Sequence, residues 1–216
     1  MEVILVGIIG WAENNLEIIN CANLNTISGS SNSTGGIIGM CENVIGGIYN
    51  SYNIGEISTN GARTGGVVGS ANSDIEIINV YNQGDIIENG AWGRSGILGS
   101  NYTVVGSGNV YINNAYNLGN VIENNVNWTY GAGAICGYPS NISILTIEKS
   151  YYKKGTCSVA VGNKKDNLYG VTVLDEINYE DIMKNFNKYI DENTSKTFEW
   201  KSWGIGEAGY LTFLDT

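Results

Sequence analysis

The residues best suited to holding a small molecule lie in two loops: Trp92 and Arg94 in one, Trp128 and Tyr130 in the other. Indole and phenol rings stack on the apolar faces of sugars. The amides of Asn89, Asn124, Asn125 and Asn127 beside them offer hydrogen bonds to hydroxyls. The bland alternative is that each Trp folds over the body of the protein and covers core. Carboxylates are the other capable groups. Laid out in the repeats described below, Glu56 and Asp85 share one position, and Glu88 and Glu123 share another. Stacking brings such pairs near the roughly 5 Å separation that retaining glycosidases use. A solvated acidic stripe is the competing expectation.

Other chemistries are excluded by residue type. The chain has no His, which removes Ser-His-Asp and Cys-His mechanisms and the His-Glu-x-x-His zinc site. Cys21, Cys41, Cys136 and Cys157 form no CxxC pair, so buried reduced thiols are expected rather than a metal centre. No Walker-type loop is present, and the Gly-rich motifs precede strands, where no helix N-terminus can take a phosphate. The sequence therefore predicts no catalytic residue, no metal and no cofactor.

The elements that must position these residues are repeats. Gly36-Ile37-Ile38-Gly39 returns as Gly66-Val67-Val68-Gly69 and Gly96-Ile97-Leu98-Gly99, with an earlier copy at Gly7–Gly10 and a degenerate one at Gly133–Gly137. A second signature follows each copy: Asn50-Ser51-Tyr52-Asn53-Ile54-Gly55, then Asn79-Val80-Tyr81-Asn82-Gln83-Gly84, then Asn114-Ala115-Tyr116-Asn117-Leu118-Gly119. Aligned, Ile18, Ile48, Ile77, Ile112 and Ile147 fall in one column, and Ile27, Ile57, Ile86 and Val121 in another. Apolar residues two apart in short runs mean strands.

Each repeat offers three such runs. The expectation is an all-β fold, a parallel β-helix or solenoid of about five three-strand coils over residues 1–162. Its insertions fall in loops near 101–109 and 122–132. Asn20, Asn50, Asn79 and Asn114 are expected to stack at a bend and pair with each other and the turn backbone. The Tyr column (Tyr52, Tyr81, Tyr116 and Tyr151) is expected to stack inside or along a coil edge.

Residues 163–216 break the pattern and are expected to form a small α+β cap. Asn178 precedes acids and an apolar face from Tyr179 to Ile190, which predicts a helix over about 178–190. Short aromatic-rich strands follow. Such a segment is suited to plugging an open solenoid end.

Charge narrows the partners. The net charge is −10, and only Arg63 and Arg94 are basic before Lys149. An acidic body repels phosphate backbones, so nucleic acid is not expected. No apolar run is long enough for a membrane span. Residues 1–6 do not read as a signal peptide, and the chain reads as a piece of a longer polypeptide.

The two signatures together resemble the GLUG repeat. That repeat occurs in large surface-exposed or secreted bacterial proteins, beside immunoglobulin A-specific metalloproteases and in adhesin-like proteins of Gram-positive anaerobes. The tail resembles segments that follow such repeats in clostridial surface proteins. The resemblance implies a non-catalytic spacer or adhesive surface for host or environmental glycan or protein, located outside the bacterial cell. The alternative is a carbohydrate-active β-helix, a polysaccharide lyase or glycoside hydrolase using paired carboxylates. Ice binding needs a regular Thr array, and no Thr column exists.

Overall fold

The computed structural model describes residues 7–90, 92–101, 108–123, 130–140, 144–163, 170–174 and 178–214, with backbone alone at 123 and 130. The chain winds into a parallel β-solenoid whose coils lie one above another on three sheets. The largest has ten strands and carries Ile38–Asn53 and Val68–Asn82 at its centre. A second four-stranded sheet stacks Ile27–Gly29, Ile57–Thr59, Ile86–Glu88 and Val121–Glu123. A third stacks Thr34–Gly35, Thr64–Gly65, Trp92–Ser95 and Tyr130–Gly133.

The three sides are not divided as the spacing predicts. The Gly-Ile-Ile-Gly run and the run carrying the constant Ile are one continuous strand of 16 residues in the second coil. The missing side comes from the dipeptides just before each Gly-Ile-Ile-Gly. The long strand turns the corner by local devices. Its register shifts between Glu42 and Ile45. It then bends at Asn50, whose φ is +49°, as it does at Asn20 (+58°), Asn79 (+59°) and Asn114 (+55°). Asn tolerates this left-handed region better than other residues with a Cβ. The Asn column is therefore set first by backbone geometry.

The core is made of stacked identical columns. Ile18, Ile48, Ile77, Ile112 and Ile147 pair in register from rung to rung and are all buried. Ile57 and Ile86 form the middle of a second buried column. Each fully buried Ile contributes about 1.5–3 kcal/mol of transfer free energy.

A buried amide ladder runs beside these columns. Asn23 Nδ2 donates to Asn53 Oδ1 at 2.7 Å, Asn53 to Asn82 at 2.7 Å, and Asn82 to Asn117 at 2.8 Å. In the same way Asn53, Asn82 and Asn117 each donate to the carbonyl two residues ahead, on Gly55, Gly84 and Gly119. The ladder explains why the two sequence signatures travel together. A Cβ at Gly36 would lie 2.8 Å from the Asn53 amide carbon, and one at Gly66 would lie 2.5 Å from that of Asn82. Only glycine leaves room for the stacked amides.

The parallel sheet runs past the expected boundary at residue 162, because Val171–Leu174 pairs with Ser150–Lys153 as a further rung. Beyond it lie a helix, Tyr179–Glu192, and an antiparallel hairpin, Trp203–Ile205 with Leu211–Phe213. Asn178 caps the helix by accepting from the Asp181 amide at 3.3 Å.

This segment is not an end plug. It lies along the flank, strapped across successive coils. Asn50, Asn79 and Asn114 donate to the carbonyls of Glu199, Lys201 and Phe186 at 3.0, 3.0 and 3.1 Å. Trp203, Phe186 and Phe213 cover the Tyr column, in which Tyr52 and Tyr81 stack with ring centroids 4.6 Å apart. Lys196 binds Glu76, which also accepts from the Tyr49 hydroxyl at 2.6 Å. The stacked bends already spend part of their hydrogen-bonding capacity on one another, Asn79 donating to Asn50 at 2.8 Å. The strap takes most of the remainder.

Among the described residues no helix is long and apolar enough to cross a membrane.

Candidate functional site

The site is built at the corner between the two four-stranded sheets. The bend there repeats with left-handed backbone at Ser33 (φ +59°), Arg63 (+60°), Gly93 (+74°) and Gly131 (+39°). These bends draw the chain inward and leave a groove of about 460 Å³ along the corner. Its lining comes from successive coils: Asn32 from the first, Asn60 to Arg63 from the second, Gly90 and Trp92 from the third, and Tyr138 above. Three rungs at about 4.8 Å make the lined stretch roughly 10 Å long before side chains are added. The volume is within the usual range for small-ligand sites.

The groove narrows onto glycine. A Cβ at Gly61 would lie 1.7 Å from the Ser31 carbonyl oxygen, so the corner is too tight for any side chain there. Its wall is aromatic. Trp92 is 38% exposed and meets Tyr138 edge to face, with ring centroids 5.6 Å apart. Its rim is amide. Asn89 Nδ2 donates to Asn60 Oδ1 at 2.8 Å, and Asn32 Oδ1 accepts from the Ala62 amide at 3.1 Å. The described lining contains Arg63 and no carboxylate.

Of the four residues singled out from the sequence, Trp92 lines this groove. Arg94 does not reach it. Arg94 is wholly buried, its guanidinium 3.8 Å from the buried Glu88 carboxylate. Strand alternation places residues 92 and 94 on one face, but left-handed Gly93 stands between them and turns Arg94 inward. Tyr130 pairs with Trp92 through its backbone in the adjacent rung, and its side chain is outside the described residues. Trp128 is also outside the described residues.

The cation the groove does present is Arg63. Its signal was in the sequence: it is the residue before Thr64, at the position that Ser33, Gly93 and Gly131 occupy in the other coils.

The carboxylate pairs fare differently. Glu88 Oε2 accepts from the Thr64 amide at 3.1 Å, and no part of the side chain reaches solvent. Burial pushes its carboxyl above the usual range, opposed by Thr64 and Arg94. It is a core ion pair replacing Thr59 and Thr64 of the coil below, out of reach of any substrate. Asp85 holds the next rung, accepting from the Asn120 amide and side chain at 2.8 and 2.9 Å. The side chain of Glu123 is outside the described residues.

None of the four cysteines is in a disulfide, and burial raises the Cys41 and Cys136 thiols far above the reactive range. Among the described residues no cluster of three or more His, Cys, Asp or Glu side chains is placed to hold a metal ion. Compared with family models, curated proteins and solved structures, the chain gives no match.

Proposed function

We propose that this chain is a non-catalytic, adhesive region of a bacterial surface or secreted protein, a GLUG-like repeat solenoid that binds glycan along the Trp92 corner. The observation that carries the glycan reading is the exposed Trp92 indole standing over a glycine-floored groove rimmed by Asn32 and Asn60. A flat ring beside amide donors fits the alternating faces and edges of a pyranose. The GLUG resemblance supports placement outside the cell. It also supports the role of the coils as a rigid support, since recognition normally sits on loops held by such a scaffold. The carbohydrate-active alternative is weaker because Glu88 is buried against Arg94.

A single ring stacked on an indole contributes on the order of 1 kcal/mol, so individual contacts are weak and multivalent display raises binding. A glycan array followed by titration of the best ligand against the parent and Trp92→Ala tests the reading. Loss of binding in the variant is expected. Equal binding by both removes this corner as the site.

A further inference from the structure

The corner also holds the reactants for a covalent change that needs no ligand. The chain contains two Asn-Gly steps, Asn60-Gly61 and Asn89-Gly90. They fall at the same corner in successive coils. Both Asn side chains are exposed, and Asn89 Nδ2 donates to Asn60 Oδ1 at 2.8 Å. In such a step the glycine nitrogen can attack the preceding side-chain carbonyl, and the missing Cβ leaves that approach unhindered. The fold holds both glycines in place. A Cβ at Gly61 would lie 1.7 Å from the Ser31 carbonyl oxygen, and one at Gly90 would lie 1.6 Å from that of Gly61.

The two steps differ in how the nitrogen is held. The Gly61 N–H donates to Thr59 Oγ1 at 3.0 Å, and that hydroxyl is itself anchored by donating to the Ser31 carbonyl at 3.2 Å. In the next coil Glu88 stands at the place of Thr59. Its Oε2 accepts from the Thr64 amide at 3.1 Å, and its Oε1 faces Arg94 at 3.8 Å without accepting a hydrogen bond. Among the described residues nothing accepts from the Gly90 N–H. A nitrogen held by a hydroxyl must break that bond before it turns toward the neighbouring side chain. The Gly90 nitrogen has no such bond to break.

We infer that Asn89 is a site of spontaneous deamidation and that Thr59 protects Asn60 from the same reaction. The Gly90 nitrogen gives its proton to hydroxide and attacks Asn89 Cγ. A C–N bond forms, the Cγ–Nδ2 bond breaks, and Nδ2 takes a proton from water and leaves as ammonia. Water then opens the succinimide ring at either carbonyl, which leaves aspartate or isoaspartate. The aspartate product replaces the donor that Asn60 Oδ1 accepts from, so the Asn60 amide must turn over and donate instead. The isoaspartate product adds a carbon to the main chain at a corner that has no room for a Cβ. Either product places a new negative charge beside Gly90 in the groove wall. The reaction does not depend on the glycan reading.

The test uses the whole chain, incubated in mildly alkaline buffer and sampled over time by peptide mapping with mass spectrometry. The map follows both steps in one molecule and separates aspartate from isoaspartate by elution. Asn89 is expected to convert roughly three- to tenfold faster than Asn60, the ratio that one net hydrogen bond supports. In urea, where the fold is lost, the two steps are expected to convert at similar rates. Thr59→Val is expected to raise the Asn60 rate toward that of Asn89. Glu88→Thr with Arg94→Thr gives the Gly90 nitrogen a hydroxyl acceptor and is expected to slow Asn89.

If the folded chain converts Asn60 as fast as Asn89, or converts neither while the unfolded chain converts both, the inference is overturned. An Asn60 rate unchanged by Thr59→Val, in a variant that melts as the parent does, overturns the protective role of Thr59.

Discussion

The buried amide ladder makes a quantitative prediction, because its rungs differ in what they lose. Replacing Asn82 by Ala removes two donated bonds, to Gly84 and Asn117 at 2.8 Å, and one accepted bond from Asn53 at 2.7 Å. Two carbonyl oxygens and one N–H are left without partners in a fully buried position. Each such group costs about 1–3 kcal/mol, with the lower half applying where water enters or neighbours shift. The expected loss is about 3–5 kcal/mol.

Asn23→Ala is the internal control. It removes the bonds to Asn25 and Asn53 at 2.8 and 2.7 Å, but on the first rung, beside exposed Leu24 and Asn25. Water can replace them, and the expected loss is about 1 kcal/mol. Urea unfolding followed by far-ultraviolet circular dichroism measures both, with an unchanged denaturant slope confirming that the compared states are the same. If Asn82→Ala costs less than about 1 kcal/mol, or no more than Asn23→Ala, the ladder is incidental and the glycines beside it need another explanation.

Removing residues 178–214 exposes Tyr81 and Tyr116 and strips the acceptors from Asn50, Asn79 and Asn114. The truncated chain is expected to melt lower, bind a hydrophobic dye and self-associate, and a monomer with unchanged melting refutes the strap. Arg94→Thr leaves Glu88 buried without its cation and is expected to cost about 3–5 kcal/mol at neutral pH, whereas Glu88→Thr with Arg94→Thr restores the preceding coil's residues and costs far less. Burial already holds the Glu88 carboxyl above its unfolded value, and losing Arg94 raises it further. The folded state of Arg94→Thr then binds the extra proton, so its deficit is smallest below the unfolded carboxylate range and grows as pH rises toward the folded value. Thermal melts from pH 4 to 8 that show a flat deficit contradict this.

Much of this architecture is legible in the residues because the repeats print it several times. The constant place of Ile18, Ile48, Ile77, Ile112 and Ile147 identifies the inward column without knowledge of the bends. The amide ladder is harder to assign, since Asn50 and Asn53 recur equally well. The left-handed bend at Asn50 resets the alternation, and this leaves Asn53 inside and Asn50 facing the strap. The same effect hides the site. Trp92 and Arg94 read as neighbours on one face until Gly93, at φ +74°, separates them. The apolar face of the helix from Tyr179 is plain in its spacing, but spacing says nothing of where that face docks. Its destination is fixed by Tyr81, Tyr116 and the Asn bends, a hundred residues or so from it in sequence but adjacent in space.

The strap has a consequence for how this region can evolve. Repeat arrays ordinarily gain or lose copies at little expense, because each unit touches only its neighbours. Here the carbonyls of Glu199, Lys201 and Phe186 accept from Asn50, Asn79 and Asn114, one rung after another. Duplicating a coil between Asn50 and Asn114 moves Asn114 about 4.8 Å farther along the axis, beyond hydrogen-bonding reach of its partner. Deleting one shortens the span by the same step. The C-terminal segment is thus a ruler that fixes copy number in the middle of the stack, and growth or loss of repeats is confined to coils it does not measure.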